Sequence, residues 1–167
     1  GNPGVVKKER PNIYANVAYL SELLNEDIGA PTLCICATRA STRILAEGVA
    51  DRFEDLETWT KGLTALIDLV DSRFEYLRPL STMLRRGVAY HNSALPQDVR
   101  FLIEDAVRDG GIRVVAATTT LAEGVDLPFR NTIIVDWLVW RGSKEQPMPP
   151  LLFRNIAGRC GRAGTFT

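Results

Sequence analysis

The chain of 167 residues carries 46% hydrophobic, 24% charged and 8% aromatic side chains, which excludes collagen-like, coiled-coil and wholly disordered organisation. Lys plus Arg and Asp plus Glu number 20 each, so no global basic field marks a nucleic-acid or anionic-membrane surface, and any such binding has to be local. One domain is expected, because a chain of this length buries roughly two thirds of its unfolded surface and needs neither disulfide nor metal to hold a core.

The three cysteines form no CxxC pair: Cys34 and Cys36 share one apolar run and Cys160 lies far downstream. That pattern speaks against zinc or any other metal site and for a reducing, intracellular setting, the cytoplasm, nucleoid or nucleus. No apolar stretch approaches the ~18 residues that span a bilayer, so no membrane partner is expected. Residues 1–13, with Gly1-Asn2-Pro3-Gly4 and then Lys7, Lys8, Glu9 and Arg10, lack a signal-peptide core and read as a flexible tail or expression remnant ahead of a domain over 14–167.

Ile13, Val17, Leu20, Leu23 and Leu24 recur at helical spacing and predict a helix ending near 27–29. Residues 31–37 are an apolar run without polar alternation, the pattern of a parallel strand covered on both faces. Ser41 and Thr42 are N-cap candidates for a second helix marked by Leu45, Val49 and Phe53. From Leu63 the apolar positions Leu66, Ile67, Val70, Phe74 and Leu77 describe a third, which Pro79 ends or kinks before a continuation to Arg86.

Residues 87–90 then read as a short strand. Pro96 opens a helix with Val99, Leu102, Ile103 and Ala106 on one face, closed by Gly110-Gly111. Residues 112–117 and 132–135 are two more buried-type strands around a loop at 118–128, and a last helix covers about 150–160. Strands alternating with helices predict a three-layer α/β domain with a mostly parallel sheet, helices on both faces and a binding edge at the C-terminal strand ends.

Chemistry concentrates in two stretches. In Asn155-Ile156-Ala157-Gly158-Arg159-Cys160-Gly161-Arg162 two guanidinium groups three residues apart project from one face of a helical turn beside glycines that let a phosphate approach. Such forks neutralise phosphoryl oxygens, although an Arg pair at a helix C-terminus is also accounted for by the helix dipole. In 114–128 a strand leads into Thr118-Thr119-Thr120, small residues and Asp126; the threonines suit phosphate contacts, or simply cap a helix. His91 is the single histidine, which leaves no His-based triad or metal cluster and admits a capping or core role. Asp136 after Ile133-Ile134-Val135 has the outline of a Walker B strand end, a pattern that ordinary strands share, and Trp137 and Trp140 read as packing residues first.

In order and wording these stretches resemble the second RecA-like lobe of superfamily-two helicases over about 31–164. Residues 118–128 look like motif V, 155–162 like motif VI, 33–42 like motif IV, and Gln97-Asp98-Val99-Arg100 fits the QxxR element; Gly87 to Leu95 leans toward the Ski-like and DExH branch. The resemblance implies that Arg159 and Arg162 are arginine fingers reaching ATP and that Gly124 and Asp126 approach its ribose. It also implies that Thr38, Arg39, His91, Arg100, Thr118 and Thr119 contact the backbone of single-stranded DNA or RNA. Asn155 stands where the branch usually has Gln, and Asp126 where it usually has Asn.

No GxxxxGK[ST] loop and no DExH or DEAD tetrapeptide occurs in the chain. ATP and Mg²⁺ are therefore expected to sit mainly on an N-terminal RecA-like lobe of the same natural polypeptide, with this segment alone inactive and further domains beyond motif VI. The competing reading is a non-catalytic RecA-like module that binds nucleic acid or a protein.

Overall fold

The computed structural model describes residues 12–158, so Arg159, Cys160, Arg162 and nearly all of the expected tail lie outside the described residues. Helix α1 (Ile13–Asp27) starts from Asn12, whose side chain accepts a hydrogen bond from the Ala15 amide, so Ile13 already belongs to the domain. Strand β1 (Thr32–Cys36) is followed by α2 (Arg39–Ala50), α3 (Lys61–Arg73), a 3₁₀ turn (Glu75–Leu77), α4 (Arg78–Leu84), β2 (Val88–His91) and α5 (Gln97–Arg108). Then come β3 (Val114–Thr118), α6 (Thr119–Gly124), β4 (Asn131–Ile134), β5 (Leu138–Arg141), β6 (Lys144–Pro147) and α7 (Pro150–Ala157).

Four strands form one wholly parallel sheet in the order β2-β3-β1-β4, and β5 and β6 make a separate antiparallel hairpin. Every residue of β1 and β2 is buried, as parallel strands covered on both faces require. The register sets Cys34, Ala116 and Tyr90 side by side, with Ile35, Ala117 and His91 on the opposite face. On the first face Ser21 of α1 meets the Cys34 sulfur at 3.6 Å, and Thr42 of α2 bonds Asn92 just past Tyr90. On the second, His91 meets Glu104 of α5. Helices therefore cover both faces, and the three-layer α/β architecture follows. Burial pushes the thiols of Cys34 and Cys36 up to about 12, which makes them inert core residues.

Local departures from the sequence expectation have identifiable causes. Thr38, not Ser41 or Thr42, caps α2: its Oγ1 accepts from the Ser41 amide, while the Thr42 hydroxyl donates back to the Arg39 carbonyl. Pro79 lies in the first turn of α4, where its missing amide is harmless, and the 3₁₀ turn before it absorbs the change of direction. Residues 119–124 are a short helix rather than a loop, and the hairpin at 138–147 carries too little apolar alternation to stand out in the sequence. Trp137 is 65% exposed at the base of that hairpin rather than packed, and the side chain of Trp140 lies outside what is described.

Helices α3 and α5 are joined by Asp109, whose carboxylate accepts from the Thr60 hydroxyl at 2.8 Å and from the amides of Gly62 and Gly111 at 2.7 and 3.0 Å. A side chain at Gly111 would collide with the Thr60 hydroxyl and come within 2.9 Å of Leu63 Cβ. Gly111→Ala is therefore expected to destabilise the fold by about 2 kcal/mol, the scale of core overpacking. Thermal unfolding should register a fall of roughly 4–8 °C, with Gly110→Ala, where a Cβ meets nothing within 4 Å but φ is +85°, as the strain-only comparison.

Candidate nucleic-acid and nucleotide interface

Because all four sheet strands run parallel, their C-terminal ends open on one edge, and the chain leaves each at Ala37, Asn92, Thr118 and Val135. Two side chains, Asp136 and Asn92, shape that edge. The Asp136 carboxylate accepts from the Ala37 amide at 2.9 Å, which fixes the turn between β1 and α2. The Asn92 amide donates to Thr42 Oγ1 at 3.0 Å while its oxygen accepts from the Ala94 amide at 2.9 Å, clamping the end of β2 to the start of α2. At the opposite end of the sheet, Asn131 donates to the Gly29 carbonyl and to Thr32 Oγ1, aligning β4 with β1.

On this scaffold Thr38, Arg39, Thr118 and Thr119 come together. Thr118 is the register partner of Cys36, so the exits of β1 and β3 are adjacent. Thr38 and Arg39 are exposed and Thr118 and Thr119 are half-buried. The Thr38 hydroxyl is engaged with Ser41, whose own oxygen accepts from the Tyr14 hydroxyl. Those of Thr118 and Thr119 have no hydrogen-bond partner among the described residues, and α6 starts without a side-chain cap. They are thus open to an outside acceptor.

His91 differs. It is 6% exposed, with Nε2 3.1 Å from Glu104 Oε1, itself on a buried side chain. The imidazole is therefore held inside, between β2 and α5, and does not reach the surface on which the threonines lie. Burial lowers its pKa, an effect that outweighs the pull of Glu104 and is reinforced by the nearby Arg100 charge. Arg100 is half-buried on α5, and its Nε has no hydrogen-bond partner among the described residues.

Gly124 ends α6 and Asp126 lies just after it, both exposed, and a Cβ built on Gly124 meets nothing within 4 Å. The protein's own packing therefore does not demand glycine there. Helix α7 packs on α6 through buried Leu152 and Ile156 and leaves Asn155 beside Glu123 along a shallow cavity. Leu151, one helical turn before Asn155, lines that cavity and is 70% exposed, and Phe153 is 51% exposed on a different face. Arg159 and Arg162 lie outside the described residues, just past the Gly158 C-cap. Sequence reading missed Asn92, Glu104 and the structural part of Asp136: the only available signal was their place one or two residues from a strand end or on the buried face of a helix.

The model of the family described as helicase conserved C-terminal domain matches residues 15–164. The chain is 38% identical over 140 residues to the ATP-dependent DNA helicase Hel308 of Pyrobaculum calidifontis, a match covering 81% of the chain and 20% of that protein. It is 36% identical over 85 residues to the ATP-dependent DNA helicase Hel308 of Aeropyrum pernix, covering 51% of the chain and 12% of that protein. It is 31% identical over 152 residues to the DNA polymerase theta of Mus musculus, covering 81% and 6% respectively. The chain thus spans a fifth or less of the length of these relatives.

The buried imidazole makes stability pH-dependent. A histidine whose folded pKa is lowered is neutral in both states above the unfolded value of about 6.5, where its contribution is complete; below that, the unfolded chain takes up the proton first and stability falls. Denaturant unfolding between pH 7 and 5 should show a slope of at most about 1.4 kcal/mol per pH unit from this group. His91→Gln should flatten that slope, and an unchanged profile would mean the imidazole is not the titrating group.

Proposed function

Since the chain belongs to the family of helicase conserved C-terminal domains, we propose that it is the C-terminal motor lobe of an ATP-dependent helicase or translocase acting on single-stranded DNA or RNA. The observation that carries this reading is the pair of unengaged hydroxyls on Thr118 and Thr119 at the open edge of the sheet, beside Thr38 and the exposed Arg39. Hydroxyl and guanidinium donors on strand exits suit the sugar-phosphate backbone and carry no base code. Arg100 contributes charge behind this row. His91 acts from within, joining β2 to α5 so that the exits keep their spacing, instead of contacting the strand itself.

The nucleotide side of the proposal uses the end of α6 and the segment that follows it. Gly124 leaves open space where a sugar or another backbone can approach, and Asp126 follows it. Arg159 and Arg162, next in sequence after α7, would serve the phosphates of ATP held by a partner RecA-like lobe, where a permanent positive charge offsets the negative charge that builds in phosphoryl transfer. Exposed Leu151, beside Asn155 and Glu123, belongs, in this reading, to the face that meets that lobe. The Mg²⁺ that accompanies ATP is left, in this reading, to the lobe that carries the phosphate loop and the metal-holding acid of a DExH or DEAD tetrapeptide. Closure on ATP and reopening after hydrolysis would then move the strand past Thr38, Arg39, Thr118 and Thr119.

ATP hydrolysis by the full-length protein, with and without single-stranded DNA or RNA, tests the reading. Arg162→Ala is expected to leave nucleotide affinity within a few-fold and to cut stimulated turnover by about 10³ or more, the scale of an arginine finger; equal turnover removes that role. On the strand side, Arg39→Ala should weaken binding to every sequence alike and reduce the slope of log affinity against log salt by about one. A slope identical to that of the unaltered protein removes Arg39 from the backbone contacts. Salt-dependent strand binding with no ATP response at all would favour a non-catalytic binding module.

A further inference from the structure

Between the first turns of α2, the 3₁₀ turn and the end of β2 lies a cavity of about 350 Å³, lined by Arg39, Arg43, Tyr76, Tyr90, Asn92 and Leu95 together with Ala40, Leu77 and Ala94. A volume of this order is at the small end of ligand sites, sufficient for one nucleotide unit and too small for a folded partner. It adjoins the exit of β1, since Arg39 immediately follows Thr38.

The chemistry of its walls is specific. One wall is cationic: Arg39 and Arg43, four residues apart, share a face of α2. Arg39 has no ion-pair partner among the described residues, and Arg43 reaches Glu47 only at 3.9 Å between well-exposed side chains. The facing wall is aromatic. Tyr76 is 69% exposed, yet its ring is braced by Phe74 in an edge-to-face contact with centroids 6.1 Å apart and planes at 87°. A large exposed ring with a fixed orientation is a platform, not a core residue.

Tyr90, on β2, is only 7% exposed, and its hydroxyl has no hydrogen-bond partner among the described residues. That oxygen is not sealed in the core but opens on the cavity, where it can donate to or accept from whatever enters. Asn92, on the same rim, already donates to Thr42 and accepts from the Ala94 amide. Aromatic platform, guanidinium pair and cavity-facing hydroxyl together are what a base, its phosphate and one polar edge require.

We propose that this cavity takes one base of the bound single strand, stacked on Tyr76, with the adjoining phosphate between Arg39 and Arg43 and a polar atom of the nucleotide on the Tyr90 hydroxyl. The inference rests on the strand-carrying reading above and adds to it a base-holding subsite outside the threonine row. Because every base has a π-face, the subsite grips the strand at one register without selecting sequence.

The test is titration of the intact protein with single-stranded oligonucleotides carrying 2-aminopurine at successive positions, in DNA and RNA. One position is expected to lose fluorescence on binding, and Tyr76→Phe keeps that loss. Tyr76→Ala abolishes it and weakens binding about tenfold, within the range for removal of one stacking partner. Tyr90→Phe keeps the stacking signal and lowers affinity a few-fold. Tyr76 is exposed, so Tyr76→Ala should unfold at the temperature of the unaltered protein. Strand binding with no position-specific quench, or a quench and affinity unaltered in Tyr76→Ala, overturns the subsite and leaves the strand-carrying reading standing. If the unaltered protein binds neither nucleic acid, that reading falls and the subsite falls with it.

Discussion

The complete burial of β1 between two parallel neighbours governs the rest of the molecule. A strand covered on both faces and both edges can present chemistry only where the chain leaves it, and parallel pairing with β3 and β4 forces the neighbouring exits onto the same edge. Thr38, Thr118 and Asp136 are neighbours for that reason alone. None of them is near another in sequence.

The polar ties at the edge are what turn proximity into a surface. Parallel pairing fixes strand spacing but not the course of the connecting turns, and here side chains do that work: Asp136 holds Ala37, and Asn92 holds α2 through Thr42. The His91–Glu104 pair does the same on the opposite face, beneath the exits rather than on them. The consequence is a division of labour among residues that sequence alone presents as equivalent. Asn92 and His91 are consecutive polar residues at a strand end, yet each locks a different helix layer, while Thr118 and Thr119 remain outward and unengaged among the described residues.

How far the sequence could be read follows from this division. The four sheet strands and the helix at 97–108 were legible because apolar runs and the spacing of Val99, Ile103 and Ala106 report burial directly. The edge as a binding region was legible because parallel topology dictates it. What escaped was whatever depends on partners distant in the chain. Nothing in residues 38–42 distinguishes the hydroxyl that caps from the two that do not, since the choice depends on where Arg39 begins its turn. Nothing local distinguishes an imidazole that faces solvent from one that meets a glutamate 13 residues away. The hairpin at 138–147 escaped for another reason: β6 is exposed throughout, so it lacks the alternation by which a half-buried strand is recognised.

The solitary imidazole has a practical side. His91 is the only histidine among 167 residues, and it sits in the core directly below the strand exits. A chain with one histidine gives one imidazole ring signal, so that signal identifies itself in a nuclear magnetic resonance spectrum selective for imidazole. The molecule therefore carries a built-in spectroscopic beacon at the contact between β2 and α5, placed to register a rearrangement of the edge without a label being attached to the surface that does the binding.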